Sequence, residues 1–395
     1  MKLLVVSHAC ATPINQQFFS EVERVSGAEI TLVAPAVWID DYGTKRFLER
    51  WPTFHGHLIP VPVWFNGNVP LHIYRSIFRN ILKEFQPDAI YMHHEPYAAA
   101  TAQVYTANRL WHGCPIGFFT WQNIQKTYPV PFKQTERMVY RQSTFACTGS
   151  ESAKEVLRSK GYDGPCTLLP GSVNPDVHFP YPHTDVLRTK LGISPSEFIF
   201  GFMGRVSEVK GLHTTLRALT GLKEIPWRFV IVGEGAYSNK IMSLASSLGI
   251  SDRVILTGYV PHTEAPTYLS LFDALLLPSE TQLNWKEQFG RVLIEALACG
   301  TPVIGSDSGE IPNVIRRTGG GISFPEGNVS AFRSALHKMA VNDNLRHLSV
   351  KRGRECVLRN YTNEALARRF AETVKGAINA STTATVSRPY YQATA

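Results

Sequence analysis

The sequence predicts an α/β protein made of two doubly wound, Rossmann-like domains facing a central cleft. Three observations carry that expectation. Short apolar runs alternate with amphipathic segments, the pattern of a parallel sheet wrapped by helices. The alternation occurs twice along the chain. At 395 residues, the chain also exceeds what one hydrophobic core usually organises.

In the first half, the runs at 3–6, 30–33, 89–92, 116–119, 144–147 and 166–169 are four residues each and almost wholly apolar, as strands buried on both faces must be. Helical periodicity fills the gaps near 16–25, 71–85, 97–110, 134–142 and 151–159. In the second half, strands are expected at 198–202, 228–232, 254–257, 274–277, 302–304 and 321–324. Between the halves, Pro170, Gly171, Pro175, Pro180 and Pro182 punctuate a stretch that reads as a linker. The resulting division is 1–170, a linker at 171–190, 191–360, a helix at 361–380, and a tail at 381–395 whose lack of apolar periodicity predicts disorder. Doubly wound sheets bind ligands at the carboxyl ends of their strands.

Composition narrows the class. The hydrophobic fraction of 44% is that of an ordinary globular chain, and the net charge of +8 permits attraction to phosphates, nucleic acid or an anionic membrane without choosing among them. The six cysteines, Cys10, Cys114, Cys147, Cys166, Cys299 and Cys356, are scattered with no Cys-x-x-Cys pair, which argues against a zinc site and for a reduced compartment. The apolar run after Met1 is too short for a signal peptide, and no stretch approaches a membrane span, so a cytoplasmic protein is expected. Nucleic-acid modules interleave aromatic and basic residues on a sheet or recognition helix, and neither pattern is present.

The most informative spacing is Glu287 to Glu295, across Glu-Gln-Phe-Gly-Arg-Val-Leu-Ile-Glu. Val292, Leu293, Ile294, Ala296 and Leu297 make a short apolar helix that Gly300 stops, so Glu295 is expected to be buried. A buried carboxylate needs partners, and the vicinal hydroxyls of a sugar would serve. Glu287 stands just before the helix, where Phe289, Gly290 and Arg291 can offer backbone N–H groups and the helix N-terminus favours an anion such as a diphosphate. Upstream, Gly201-Phe-Met-Gly204-Arg205 closes an apolar strand, and Lys210 follows it. Glycine there lets backbone approach a ligand, while the guanidinium offers a fork of donors to phosphate.

Together with Val-Ile-Val-Gly-Glu-Gly at 230–235, Gly258-Tyr-Val-Pro261 and Ser306-Asp-Ser-Gly-Glu-Ile-Pro312, these motifs resemble the retaining GT-B glycosyltransferases of family 4, the glycosyl transferases group 1. The resemblance covers most of the chain. It implies transfer from a nucleotide-diphosphate sugar, UDP- or GDP-linked, to a glycan, lipid-linked or small-molecule acceptor. It places Glu295 on the ribose hydroxyls and Glu287 on hydroxyls of the transferred sugar. Gln288, Phe289 and Gly290 then present backbone amides, Tyr259 and Val260 meet the base, and Gly204, Arg205 and Lys210 hold the diphosphate. It also implies that the last helix returns to the first domain.

The first domain departs from the family pattern. The loop after the first strand, His8-Ala-Cys-Ala-Thr-Pro-Ile-Asn15-Gln16-Gln17, has no glycine, so Asn15 or Gln16 is expected to meet ligand through its side chain. Where relatives often carry a histidine, this chain has Thr120-Trp-Gln122-Asn, and Gln122 cannot act as a general base. His94-Glu95-Pro96 matches a familiar segment and places His94 or Glu95 on the acceptor side. No Asp-x-Asp triplet exists, so no metal clamp and no cofactor are expected. Arg75, Arg79 and Lys83 fall on one face of the helix expected at 71–85. That face is an ordinary solvated one or a peripheral contact with an anionic membrane. The alternatives within the fold are a sugar-nucleotide epimerase or hydrolase, and outside catalysis a sugar-nucleotide binding protein.

Overall fold

A computed structural model describes residues 1–40, 43–76 and 78–386. The chain divides into two compact units, one comprising Met1–Pro170 with the segment from Asn363 onward, the other Gly171–Thr362.

The first unit is built on a seven-stranded parallel sheet, in the order Cys166–Leu168, Phe145–Thr148, Ile116–Thr120, Ala89–Met92, Lys2–Val6, Glu29–Pro35 and His57–Val61. Side chains alternate across each strand. Leu3, Val5 and Tyr91 therefore enter one core with Phe19, Phe145 and Phe370, while Leu4, Val6, Ile90 and Met92 enter the other with Phe78, Val104 and Phe118. The helix Asn363–Val386 supplies Leu366, Phe370 and Val374 to the first of these cores, and that contact fixes it to this unit. The topological switch point lies between Lys2–Val6 and Ala89–Met92, from which the strand order runs in opposite directions.

The second unit has a six-stranded parallel sheet ordered Val254–Gly258, Trp227–Val232, Phe198–Met203, Ala274–Leu277, Val303–Ser306 and Gly321–Phe324. Its switch point lies between Phe198–Met203 and Ala274–Leu277. The segments leaving those two strands carry Arg205 and Lys210 on one side and Ser279 through Glu287 on the other.

Several elements differ from the sequence expectation, among them a short antiparallel pair, Val37–Ile39 with Lys45–Phe47. The helix expected at 71–85 is a short strand, Ile73–Tyr74, followed by a helix at Phe78–Phe85. Ile73 and Tyr74 pair with Val63–Trp64, and the Gln103 amide both accepts from Tyr74 N and donates to Tyr74 O, replacing a helical turn's own hydrogen bonds. Arg75 therefore leaves the helix and lies over the Trp64 ring at 5.6 Å, so the three-residue basic face does not form. The strand His57–Val61, with Pro60 inside it, escaped the pattern because an edge strand tolerates a proline that a central one would not. Residues 171–190 are part of the second unit: Val173 is buried and bonded to Tyr361 O, and Asp185–Lys190 is helical. The last helix continues past 380 to Val386, with the Thr382 and Thr383 hydroxyls donating to the carbonyls four residues back. Residues 387–395, the rest of the expected tail, lie outside the described residues.

Candidate functional site

In the second unit, the loops that leave adjacent strands are laced together. Gly204 N donates to Val232 O, Val206 N to Glu234 O, and Gly233 N to Gly258 O. This lacing carries exposed Arg205 out of the sheet, and a single 3-10 turn, Glu208–Lys210, follows. Gly211 then adopts φ +64, and a Cβ there would lie 1.9 Å from Pro278 O, so backbone runs against backbone across the switch point.

That close approach delivers Lys210 to Glu287. The ammonium donates to Glu287 Oε2 at 2.6 Å, the same oxygen accepts from Ser279 Oγ at 2.8 Å, and the Trp285 ring lies 5.1 Å from Lys210 Nζ. Glu287 and Ser279 are buried. The Glu287 carbonyl accepts from Glu310 N at 3.1 Å, and Gly309, at φ +56, packs so closely that a Cβ would come within 2.0 Å of that oxygen. Around the same strand ends, Glu280 accepts from the Thr214 hydroxyl at 2.5 Å and lies 3.2 Å from His213 Nε2. Thr281 Oγ1 is 3.0 Å from Ser308 Oγ.

Glu295 sits on the helix Arg291–Ala298, buried as its apolar neighbours require, and its Oε1 pairs with Arg291 Nε at 3.0 Å. A protein cation, one turn back, thus already partners the carboxylate for which the sequence argued a sugar. Nearby His178 is held below the ordinary histidine range by burial, against the pull of Glu295, and its buried Nε2 has no hydrogen-bond partner. Of the other residues expected to face donor, Gln288 and Tyr259 are exposed, Val260 is half-buried, and Phe289 and Gly290 are buried.

In the first unit, Glu95 joins the two acceptor-side segments. Its carboxylate accepts from the Thr120 hydroxyl at 2.6 Å and from Trp121 N at 2.8 Å, and burial raises its pKa. Gln122 lies in the turn so held, donating to Ile124 O and accepting from Lys160 Nζ. Asn15 is exposed, with its amide on Ala9 O. Gln16 does not take the place expected of it. It is fully buried, its Nε2 donates to Cys10 O and Glu49 O, and its Oε1 accepts from Trp51 N, so the amide is consumed in holding backbone. His94 is buried beside His8 and His72, with neither of its ring nitrogens bonded.

Solved structures match this architecture end to end. Sucrose-phosphate synthase from Thermosynechococcus elongatus superposes with TM-score 0.72 at 18% identity, covering 96% of this chain and 100% of that one. Anabaena HepE, solved in complex with UDP, gives 0.74 at 14% identity over 95% and 100%. The fold is GT-B. Residues 184–355, within the second GT-B unit, match the family described as glycosyl transferases group 1. N-acetyl-alpha-D-glucosaminyl L-malate synthase of Bacillus anthracis is 30% identical over 48% of this chain and 48% of its own length. 2-Deoxystreptamine N-acetyl-D-glucosaminyltransferase of Streptomyces fradiae is 28% identical over 46% and 42%. The chain spans about half the length of these relatives. No helix among the described residues is long and apolar enough to cross a membrane.

Ser279 and Trp285 escaped the sequence reading. Ser279 could have been found from its place two residues beyond the strand Ala274–Leu277 at the switch point, whereas nothing in the sequence marks Trp285.

Proposed function

We propose that this protein is a retaining glycosyltransferase that takes a sugar from a nucleotide-diphosphate donor held by the second unit and needs no divalent ion at the diphosphate. The observation that carries the reading is the Lys210, Glu287 and Ser279 constellation at the switch point, where open α/β sheets take their ligands. Lys210 and Arg205 offset the charge that grows on the departing diphosphate, the kind of electrostatic contribution that is usually the largest in catalysis. Glu287, fixed by two donors, orients hydroxyls of the transferred sugar and attacks nothing. Glu295 takes the ribose hydroxyls, and Tyr259 and Val260 meet the base. Transfer proceeds on one face, with the departing phosphate accepting the acceptor's proton. Asn15, His94, Glu95 and Gln122 belong to the acceptor side, which receives a carbohydrate or lipid-linked hydroxyl.

The relatives support the reading by what they are called, a synthase and a transferase that handle N-acetylglucosaminyl groups. The test is a screen of UDP- and GDP-sugars for protection against thermal unfolding, followed by product analysis with candidate acceptors. A cognate donor at 100 times its dissociation constant adds about 2.7 kcal/mol. Protection without transfer leaves a binding protein. Donor turnover that needs no acceptor makes the protein a hydrolase or epimerase.

A further inference from the structure

His8, His72 and His94 are far apart in sequence and meet in the first unit. His8 follows the strand Lys2–Val6 and His94 the strand Ala89–Met92, the two strands that flank the switch point. His72 arrives from the turn before Ile73–Tyr74. The ring centroids lie 4.4 Å (His8 and His94), 4.8 Å (His72 and His94) and 5.4 Å (His8 and His72) apart, and one nitrogen of each ring lies within 4.8 Å of the others. Trp38 closes one side, its ring 5.0 Å from both His8 and His72.

Four buried ring nitrogens here lack a hydrogen-bond partner: His8 Nδ1, His72 Nε2, and both nitrogens of His94. Leaving such atoms unsatisfied is costly, and the three rings, tilted by 44° to 57° to one another, make no hydrogen bond among themselves. His72 shows what they suit. Its Nδ1 faces the carbonyls of Asn68 and Val69, at 3.3 and 3.1 Å, and so carries the proton. Nε2 is left with its lone pair, the arrangement in which a metal-ligating histidine gives its other N–H to a backbone carbonyl. His72 and His94 are fully buried and His8 largely so, surroundings that disfavour a charge on any of the three rings. His93 is the internal contrast, since its Nδ1 is satisfied at 3.0 Å by Ser7 Oγ.

We propose that His8, His72 and His94 form a site for one divalent transition-metal ion, bound through a nitrogen of each ring. Neutral imidazole suits zinc and its first-row neighbours, whereas magnesium and calcium select oxygen. Tetrahedral bonding at 2.0–2.1 Å sets nitrogens about 3.3 Å apart, so binding would draw together nitrogens that lie within 4.8 Å of one another. Three protein ligands leave a fourth position for water or a substrate oxygen, and His8 is the least buried of the three rings. Cysteine spacing in the sequence is silent on such a site, because the ligands come from three segments that only the fold brings together. The proposal stands independently of the transferase reading.

The experiment strips the full chain with chelator, incubates it with zinc, removes loose metal by gel filtration and counts zinc by mass spectrometry. Cobalt(II) repeats the titration under visible absorption. One zinc per chain is expected, with d–d bands of a low-coordinate cobalt site, and His72→Gln and His8→Gln should each retain less than a tenth. No zinc on the wild-type chain overturns the proposal. Undiminished zinc on His8→Gln also overturns it, by placing the metal on other residues. If His72→Gln fails to fold, His8→Gln, changed at the least buried of the three rings, decides alone.

Discussion

Lys210 and Glu287, on segments leaving two adjacent strands, are joined by a 2.6 Å hydrogen bond that neither segment could make alone. An ammonium has three donors, and giving one to Glu287 fixes where the others point. Lys210→Met keeps the stem and removes the charge. If Lys210 acts on charge that develops during transfer, kcat should fall about 10²- to 10³-fold, the scale for losing one such donor, while KM moves far less. Arg205→Ala should fall in the same sense. Initial rates across donor concentration decide, and wild-type kcat in both variants would mean that the diphosphate lies elsewhere.

Glu295 and Arg291 test a different contact. The Glu295 side chain is 11% exposed but that of Arg291 is 63%, so their bridge is a helix-surface pair worth about 0.3–0.5 kcal/mol. Glu295→Gln should therefore fold as the wild type does. If the carboxylate receives ribose hydroxyls, it should bind the nucleoside diphosphate about tenfold more weakly, a loss of about 1.4 kcal/mol. Titration calorimetry measures this, and unchanged affinity removes Glu295 from the ribose site.

What the sequence made legible follows from the periods involved. The apolar runs at Ala89–Met92 and Ala274–Leu277 mark their strands from end to end, because a strand covered on both faces has no polar position to blur it. Where a segment is stabilised by a distant side chain, local pattern misleads: Ile73–Tyr74 is a strand because Val63–Trp64 and Gln103 make it one. The same holds at the sites. Glu287 and Lys210 could be named from motifs, but their bond, and the Ser279 hydroxyl on the same oxygen, depend on strand order. Gln16 shows the converse, a polar residue in a promising loop whose amide turns inward to Cys10, Glu49 and Trp51.

Gly309 supports Glu287 from behind. A methyl group there would lie 2.0 Å from the Glu287 carbonyl in a backbone conformation, φ +56, that already disfavours a side chain. Gly309→Ala should displace the Glu287 backbone, cost about 1–3 kcal/mol as strain of this kind does, and reduce kcat even at temperatures where the variant remains folded. Gly211→Ala, whose Cβ would meet Pro278 O, should act the same way through Lys210. Chemical denaturation and steady-state rates read the two effects separately. A variant of wild-type stability and activity would show that these backbone contacts do not hold the site.

The charge-clamp account makes its sharpest demand on hard cations. Arg205, Lys210, the N-terminus of the helix Arg291–Ala298 and the backbone around Gly204 are proposed to supply fixed positive potential where some glycosyltransferases use an Asp-x-Asp-bound ion, a triplet absent from this sequence. None of the four requires a coordination sphere. At saturating donor, adding magnesium or manganese to chelator-treated enzyme should therefore leave the initial rate unchanged. These ions prefer oxygen ligands, so the comparison separates the diphosphate clamp from the three-histidine cluster of the first unit, which would answer to zinc. The anomeric configuration of the product, read by NMR on the same samples, should match that of the donor. A rate that appears only with magnesium or manganese would end the metal-free account, and an inverted product would separately end transfer on one face.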